Sequence, residues 1–523
     1  MVTTAKAPGS GTCHRLSFPA TCSIATAMLL VYSHAGAAEW KISPSLDLKE
    51  TYTDNVKLAP SGQEKSEFIT QVNPGISLTG TGPRLKLNAS YVMQNLVYAE
   101  ESSQNTMNHL LNASANAELV DDLLFLDGRA AISQQNISLS GPQAADNVNT
   151  TGNRTEVQTY SVSPYLRHKF SNFASTEVRY THDEVSTGGS GLWNSQSDRI
   201  QLGLNSGSAF STLGWGLNYS SGKTSYGNTT NTPDIDTEVL SGNLSYPVTP
   251  KFRLTATGGY EKNNYISIGT KPDGSFWSAG FSWTPSATTS LDASAGRRFF
   301  GDTYSLAASH RTRLTTWSLG YSEDITSTRD QFLIPATIDT ASFLNQLLAA
   351  TMPDPVIRKL YVDAITLRVG PSLAESVNYL TNRLFLQKRL QASVAVTGAK
   401  NTLILSLFHA TRDAQTSQTQ DSTLFGSSAL ALSDSTKQVG GNAFWNWRIG
   451  PRTSANINAG YTRNSYPSLG RTDNDKTIRL SLTRQFQPKL NGSVELRRLQ
   501  RDSSQDSGDY SENALTASLF MRF

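Results

Sequence analysis

Across 523 residues, 45 basic and 42 acidic side chains leave a net charge of +3, too balanced to argue for nucleic acid as a partner. Only 37% of residues are hydrophobic and mean hydropathy is −0.35, which excludes a bundle of transmembrane helices. Aromatic residues still make up 9%, beside abundant Ser, Thr, Asn and Gly, a mixture suited to strands with one apolar and one wet face.

At the amino terminus, Lys6, His14 and Arg15 precede an apolar run from Ile24 to Tyr32 and then small residues ending in Ala37-Ala38. This order reads as a secretory signal peptide over residues 1–38, with the mature chain starting near Glu39. The apolar run is too short to remain as a spanning helix. Both cysteines, Cys13 and Cys22, fall in this segment, so the remainder would enter an oxidising compartment without thiols.

From Trp40 onward a two-residue period recurs. Leu85, Leu87, Ala89, Tyr91 and Met93 alternate with polar residues, as do Leu213, Trp215, Leu217 and Tyr219. The same alternation carries Trp277/Ala279/Phe281/Trp283, Trp317/Leu319/Tyr321, Ala455/Ile457/Ala459/Tyr461 and Ile478/Leu480/Leu482. A soluble sandwich would alternate too, but its connections would not sort by length. Here tight turns such as Gly82-Pro83, Pro250-Lys251, Gly398-Ala399-Lys400 and Pro488-Lys489 take turns with long polar loops such as 139–154, 186–197 and 411–433. Short on one side and long on the other is the asymmetry of an outer-membrane barrel. The expected fold is all-β: one large antiparallel transmembrane β-barrel over residues 39–523, of about 22 strands within a range of 18–22.

One stretch departs from this pattern. Pro335 to Arg383 carries helical spacing, with Phe343, Leu344, Leu347 and Leu348 on one face and Val356, Ile357, Leu360 and Tyr361 on another. It reads as a short helical insertion, external or luminal, that joins two strands at their outer ends. The final strand, Tyr510 to Phe523, places Leu515, Ala517, Leu519, Met521 and Phe523 on one face. That aromatic ending is similar to the signal by which barrels are recognised for membrane insertion, which makes Leu519, Met521 and Phe523 the candidate contacts for the barrel-assembly machinery.

Motifs for chemistry are sparse. Gly222-Lys223-Thr224 lacks the glycine that a phosphate loop needs five residues before Gly222, where Leu217 stands. His109, His168, His182, His310 and His409 show no metal spacing. His310 and His409 are the candidates if the barrel is instead an enzyme modifying surface lipid or polysaccharide. The acidic runs 472–475 and 502–509 read as solvated loop charge. The reading is therefore non-enzymatic, with no cofactor and no metal. Alternation sends Arg253, Arg298, Arg311, Arg389, Arg448 and Arg479 to the lumen, beside Glu261, Asn446, Asn456 and Asn458. A donor-rich wall of this kind suits anions or a hydroxyl-rich polymer.

Several segments together resemble a known family: Tyr52-Thr53-Asp54-Asn55-Val56, Asn73-Pro74-Gly75, Gly259-Tyr260-Glu261, Trp283-Thr284-Pro285-Ser286 and Arg297-Arg298-Phe299-Phe300-Gly301, continued by His310-Arg311-Thr312-Arg313, Tyr321-Ser322-Glu323 and Leu384 to Leu405. They are similar to the PEP-CTERM (exosortase) system-associated outer-membrane barrel proteins. The resemblance implies a bacterial outer-membrane location and a place in loci for exopolysaccharide production and protein sorting. It brings no catalytic residues. The expectation is a channel or scaffold assisting polysaccharide export or surface assembly, in contact with outer-membrane lipid. A general porin is the alternative.

Overall fold

In the computed structural model, residues 39–188, 194–227, 233–333, 379–418, 434–505 and 508–523 are described. The signal-peptide reading of 1–38 and most of the helical insertion, 334–378, lie outside them. The strands are β1 Glu39–Thr53, β2 Glu67–Thr81, β3 Leu85–Tyr98, β4 Thr106–Val120, β5 Leu124–Asn136, β6 Arg154–Phe170, β7 Ala174–Thr187 and β8 Ser195–Ser206. There follow β9 Gly214–Tyr226, β10 Ile235–Thr249, β11 Phe252–Asn263, β12 Asp273–Ser286, β13 Thr289–Arg298, β14 Gly301–Arg311 and β15 Thr315–Ser327. After the short helix α1, Thr328–Leu333, come β16 Leu384–Thr397, β17 Asn401–Ala414, β18 Ser435–Gly450, β19 Thr453–Tyr466, β20 Arg471–Gln487, β21 Leu490–Ser503 and β22 Tyr510–Arg522.

Each strand pairs antiparallel with its chain neighbours, and β22 returns to β1, where Ser45 opposes Arg522 and Thr53 opposes Ala514. The 22 strands thus form a closed barrel. Closure is what a bilayer demands, because an unpaired strand edge in hydrocarbon would leave a row of unsatisfied amides.

The register assigns every strand residue to one of two faces. Outward stand Trp40, Tyr246, Trp283, Trp317 and Trp447 near one end and Tyr52, Phe68, Tyr180, Tyr260 and Tyr461 near the other, with Leu, Ile, Val and Ala between. These side chains are exposed; Trp317 keeps 51% of its surface and Trp277 57%. A continuous apolar band between two aromatic girdles is stable only against lipid. The chain is a bacterial outer-membrane barrel.

β1 begins and β22 ends at the end whose connections are tight, such as 82–84, 250–251, 398–400 and 488–489. The opposite, external end carries the long connections, including 54–66, 137–153 and 415–434. Several hairpins rise further than their loops suggest in sequence: β20 has 17 residues, against the roughly 9–11 that a tilted span needs. Asp473 and Asp475 are therefore not solvated loop charge. They lie on β20 and point inward, Asp473 fully buried against Arg471 and Ser503. The turn that permits this is 467–470, closed by Gly470 at φ 61°, a left-handed conformation that favours glycine.

Candidate functional site in the barrel lumen

The lumen is divided. On the side of β18–β22 and β1–β6 it is filled, chiefly by loop 137–153 folding back inside the wall. Four arginines of β20 and β21 hold its backbone and one acidic side chain. Arg471 donates to the Ser140 carbonyl at 2.9 Å, Arg479 to the Ala145 carbonyl at 3.0 Å and Arg501 to the Gly141 carbonyl at 2.7 Å. Arg497 pairs with the loop's Asp146 and with Glu512, whose carboxylate also accepts from Asn149 at 2.7 Å. Arg497 and Glu512 keep only 2% and 0% of their side-chain surface. Apolar contacts complete the plug: Val148 packs with Val56, Ile69, Leu96 and Tyr98, and Ala144 and Ala145 pack on Leu58, Leu499 and Tyr510.

The local cause of this arrangement is in the register. Arg479 and Arg497 are direct cross-strand partners on the inner face. Like charges so placed repel. Asp146 relieves the repulsion by entering between them from the loop. Burial alone would push its carboxyl up, but Arg497 and Arg479 outweigh that and hold it below the usual aspartate value. The adjacent pair Asp475 and Arg501 needs no such help, the guanidinium making a two-pronged contact at 2.6 and 2.7 Å.

On the side of β7–β16 the lumen holds a cavity of about 1130 Å³. Its wall mixes hydroxyl groups with charged side chains of both signs, among them Asp292, Arg298, Asp324 and Arg389. Ser220, Ser282, Ser294 and Ser305 alternate with Thr237 and Thr255. Among the inward-facing residues of β12, β13 and β15 are Gly280, Gly296 and Gly320. A Cβ at Gly320 would meet open space, whereas one at Gly280 would strike the Ala293 carbonyl and one at Gly296 the Trp277 carbonyl. The cavity reaches Ser282, the rung partner of Arg253, close to the periplasmic turn at 250–251. At the external end α1 crosses above it. Arg329, buried, donates to the Asp183 carbonyl of β7 at 2.9 Å, and Phe332 and Leu333 pack on Val157, Val185 and Leu380. The roots of the insertion, 328–333 and 379–383, thus stand inside the barrel mouth; its middle lies outside the described residues.

All six sequence-selected arginines take the luminal parity, but their circumstances differ. Arg298 is bound to Glu261 at 2.6 Å and to Asp324 at 2.6 Å. Arg389 lines the cavity. Arg253 and Arg311 stand exposed near the periplasmic end. Arg448 donates to the Ala399 carbonyl of a periplasmic turn, and Arg479 is committed to the loop. His310 and His409 both take the outward parity, opposite Trp317 and Val439. His310 contacts the Thr289 hydroxyl at 2.8 Å. Leu519, Met521 and Phe523 also face outward, and Phe523 N–H donates to the Pro44 carbonyl of β1 at 3.0 Å.

No family model matches the chain, and a search of curated protein sequences finds no match. Among solved structures, the siderophore receptor PirA from Pseudomonas aeruginosa is similar over 93% of this chain and 81% of its own, at 10% identity and a TM-score of 0.46. PirA from Acinetobacter baumannii aligns over the same shares at 9% identity and a TM-score of 0.48. OccK2 (OpdF) from Pseudomonas aeruginosa aligns over 93% of this chain and 98% of its own, at 9% identity and a TM-score of 0.35. The likeness is of barrel to barrel.

The residues that sequence reasoning missed are those that seat the plug: Asp146, Arg497, Arg501 and Glu512. A signal was present for one of them, since Arg497 can be placed on the same inner rung as Arg479 once the hairpin at 488–489 is accepted. Two arginines on one rung ask for a carboxylate from elsewhere.

Proposed function

We propose that this barrel is a channel whose solute path runs along the β7–β16 wall, with loop 137–153 as its fixed filling and α1 with the insertion at its external mouth. The observation that carries the reading is the one-sided filling of the lumen. Half the wall is locked to a loop by the Arg497–Asp146 ion pair and by arginine–carbonyl hydrogen bonds, while the other half presents hydroxyls, charged groups of both signs and a cavity of about 1130 Å³. A hydroxyl-lined wall exchanges hydrogen bonds with water or sugar hydroxyls at little cost, and it does not trap a moving solute as a row of free charges would. The charged groups on that wall are of both signs, and Arg298 is neutralised by Glu261 and Asp324.

The cargo that fits this chemistry is a polar, hydroxyl-rich chain, and we read the protein as assisting export or surface assembly of an exopolysaccharide. The likeness of Tyr52–Val56, Trp283–Ser286 and Arg297–Gly301 to the exosortase-associated barrels supports that choice. Single-channel recording in planar bilayers tests the conduit. We expect conductance from the intact barrel, or from one lacking 335–378. Silence from both would remove the proposal. Loss of surface polysaccharide on deletion of the gene, restored by the intact chain, is the expected result for the cargo.

A further inference from the structure

The outer surface carries a second feature that conduction does not use. On four consecutive strands the first outward residue above the apolar band is a cation: Lys437 on β18, Arg463 on β19, Lys476 on β20 and Arg498 on β21. Beneath them on the same face lie Val439, Tyr461, Ile478 with Leu480, and Leu496 with Val494. The spacing is regular. Ser465 opposes Lys437, and Arg463 is two residues nearer the periplasm. Asn474 opposes Arg463, and Lys476 is again two residues lower; Gln500 opposes Lys476, and Arg498 is two lower still. Followed from β1 round to β22, the rungs climb toward the external rim, so this repeated step back keeps the four charges near one level. Neighbouring cations are diagonal partners on adjacent strands, about 7–8 Å apart.

All four side chains are exposed. Lys476 is paired with Asp502 at 2.7 Å, and Arg498 donates to Asn513 at 2.8 Å. Among the described residues neither Lys437 nor Arg463 has an ion-pair partner. Asp413 on β17 also faces outward, one rung above Lys437's neighbourhood, where it accepts from Ser435 at 2.8 Å. Among the described residues of the far side, outward cations instead stand beside acids, Lys262 opposite Glu238, Arg297 opposite Asp302 and Lys388 with Glu323 at 3.6 Å. There the same level carries His182 with Asp198 at 2.8 Å and Lys223 with Asp234 at 2.8 Å, and beside them Glu184 and Glu238. A row of outward cations at the top of a hydrocarbon band meets the headgroups of the outer leaflet and nothing else.

We infer that the β18–β21 belt is a binding site for a phosphorylated glycolipid of the outer leaflet, its acyl chains lying on Val439, Ile478, Leu480 and Leu496 and its phosphates on Lys437, Arg463, Lys476 and Arg498. Arg offers a forked donor pair suited to phosphate, and each cation near a lipid surface adds to the attraction. The site fixes the rotational setting of lipid around the barrel on the side where the plug is locked.

The test uses the full-length barrel in detergent and native mass spectrometry with bisphosphorylated lipid A. The unmodified barrel should retain the lipid, and the combined variant Lys437→Gln, Arg463→Gln, Lys476→Gln, Arg498→Gln should bind it at least about tenfold more weakly. Lys223→Gln with Lys262→Gln, on the far side, should leave retention unchanged. Dephosphorylated lipid A added to the unmodified barrel should bind as weakly as intact lipid binds the variant, which keeps the test valid if the variant folds poorly. Competition by millimolar inorganic phosphate should be slight, because the acyl contacts are then missing. Equal retention by the four-residue variant, equal binding of the dephosphorylated lipid, or full displacement by inorganic phosphate would each overturn the assignment.

Discussion

Arg497 shows how one side chain joins wall, plug and terminus. It binds Glu512 on β22 and Asp146 in the loop while almost wholly buried. Removing one member of such a pair strands a charge without water, which costs about 3–5 kcal/mol. Arg497→Ala should therefore lower the unfolding temperature of the barrel in heat-dependent gel mobility, whereas Arg497→Met combined with Glu512→Leu should recover much of the loss. Asp146 adds a pH dependence. Its carboxyl is held below the ordinary value of 3.8, so its stabilisation is present above that value and is lost as pH falls through the depressed one. The plug should stay seated from pH 7 to about 4 and loosen only in stronger acid. Limited proteolysis of loop 137–153 across this range reads it out, and loosening between pH 7 and 5 would contradict the role given to Asp146. In sequence, parity alone marked Arg479 as luminal. What it could not supply was the partner, because a luminal arginine facing water and one clamped to a loop carbonyl have the same alternation around them.

At the level of elements, the strands were legible because lipid imposes a strict two-residue period and tight turns such as Pro250-Lys251 and Pro488-Lys489 mark where each hairpin closes. The closing strand was legible for the same reason, and its outward residues Leu519 and Met521 pair across β1 and β21 as a closed wall requires. Deleting Phe523 should reduce outer-membrane insertion, measured as folded barrel in the membrane fraction, without altering the conductance of barrels that do insert. Loop 137–153 was not legible. Its sequence is polar with no period, and only tertiary contacts to β20, β21 and β22 pull it inward. The hairpin at 467–470 failed for another reason. Acidic residues normally mark the end of a span, but Asp473 and Asp475 are carried on by a strand that extends past the bilayer and are neutralised inside the wall by Arg471 and Arg501.

We read the molecule as a whole as a barrel with one locked half and one open half, its external mouth overhung by α1. The open half rests on small side chains, and Gly320 marks where it can be closed. It lines the cavity with open space before its Cβ and an ordinary backbone conformation, so a large side chain enters without strain. Gly320→Trp should therefore leave folding and insertion intact while narrowing the path. On the locked side, deleting 141–149 should widen the lumen and raise conductance. The most direct measurement is single-channel conductance of the unmodified and Gly320→Trp barrels side by side, each also prepared without 335–378 so that the insertion cannot mask the path. A current that falls severalfold with Gly320→Trp is the predicted result. A current indifferent to Gly320→Trp, or none at all in any of the four, would contradict a path along the β7–β16 wall.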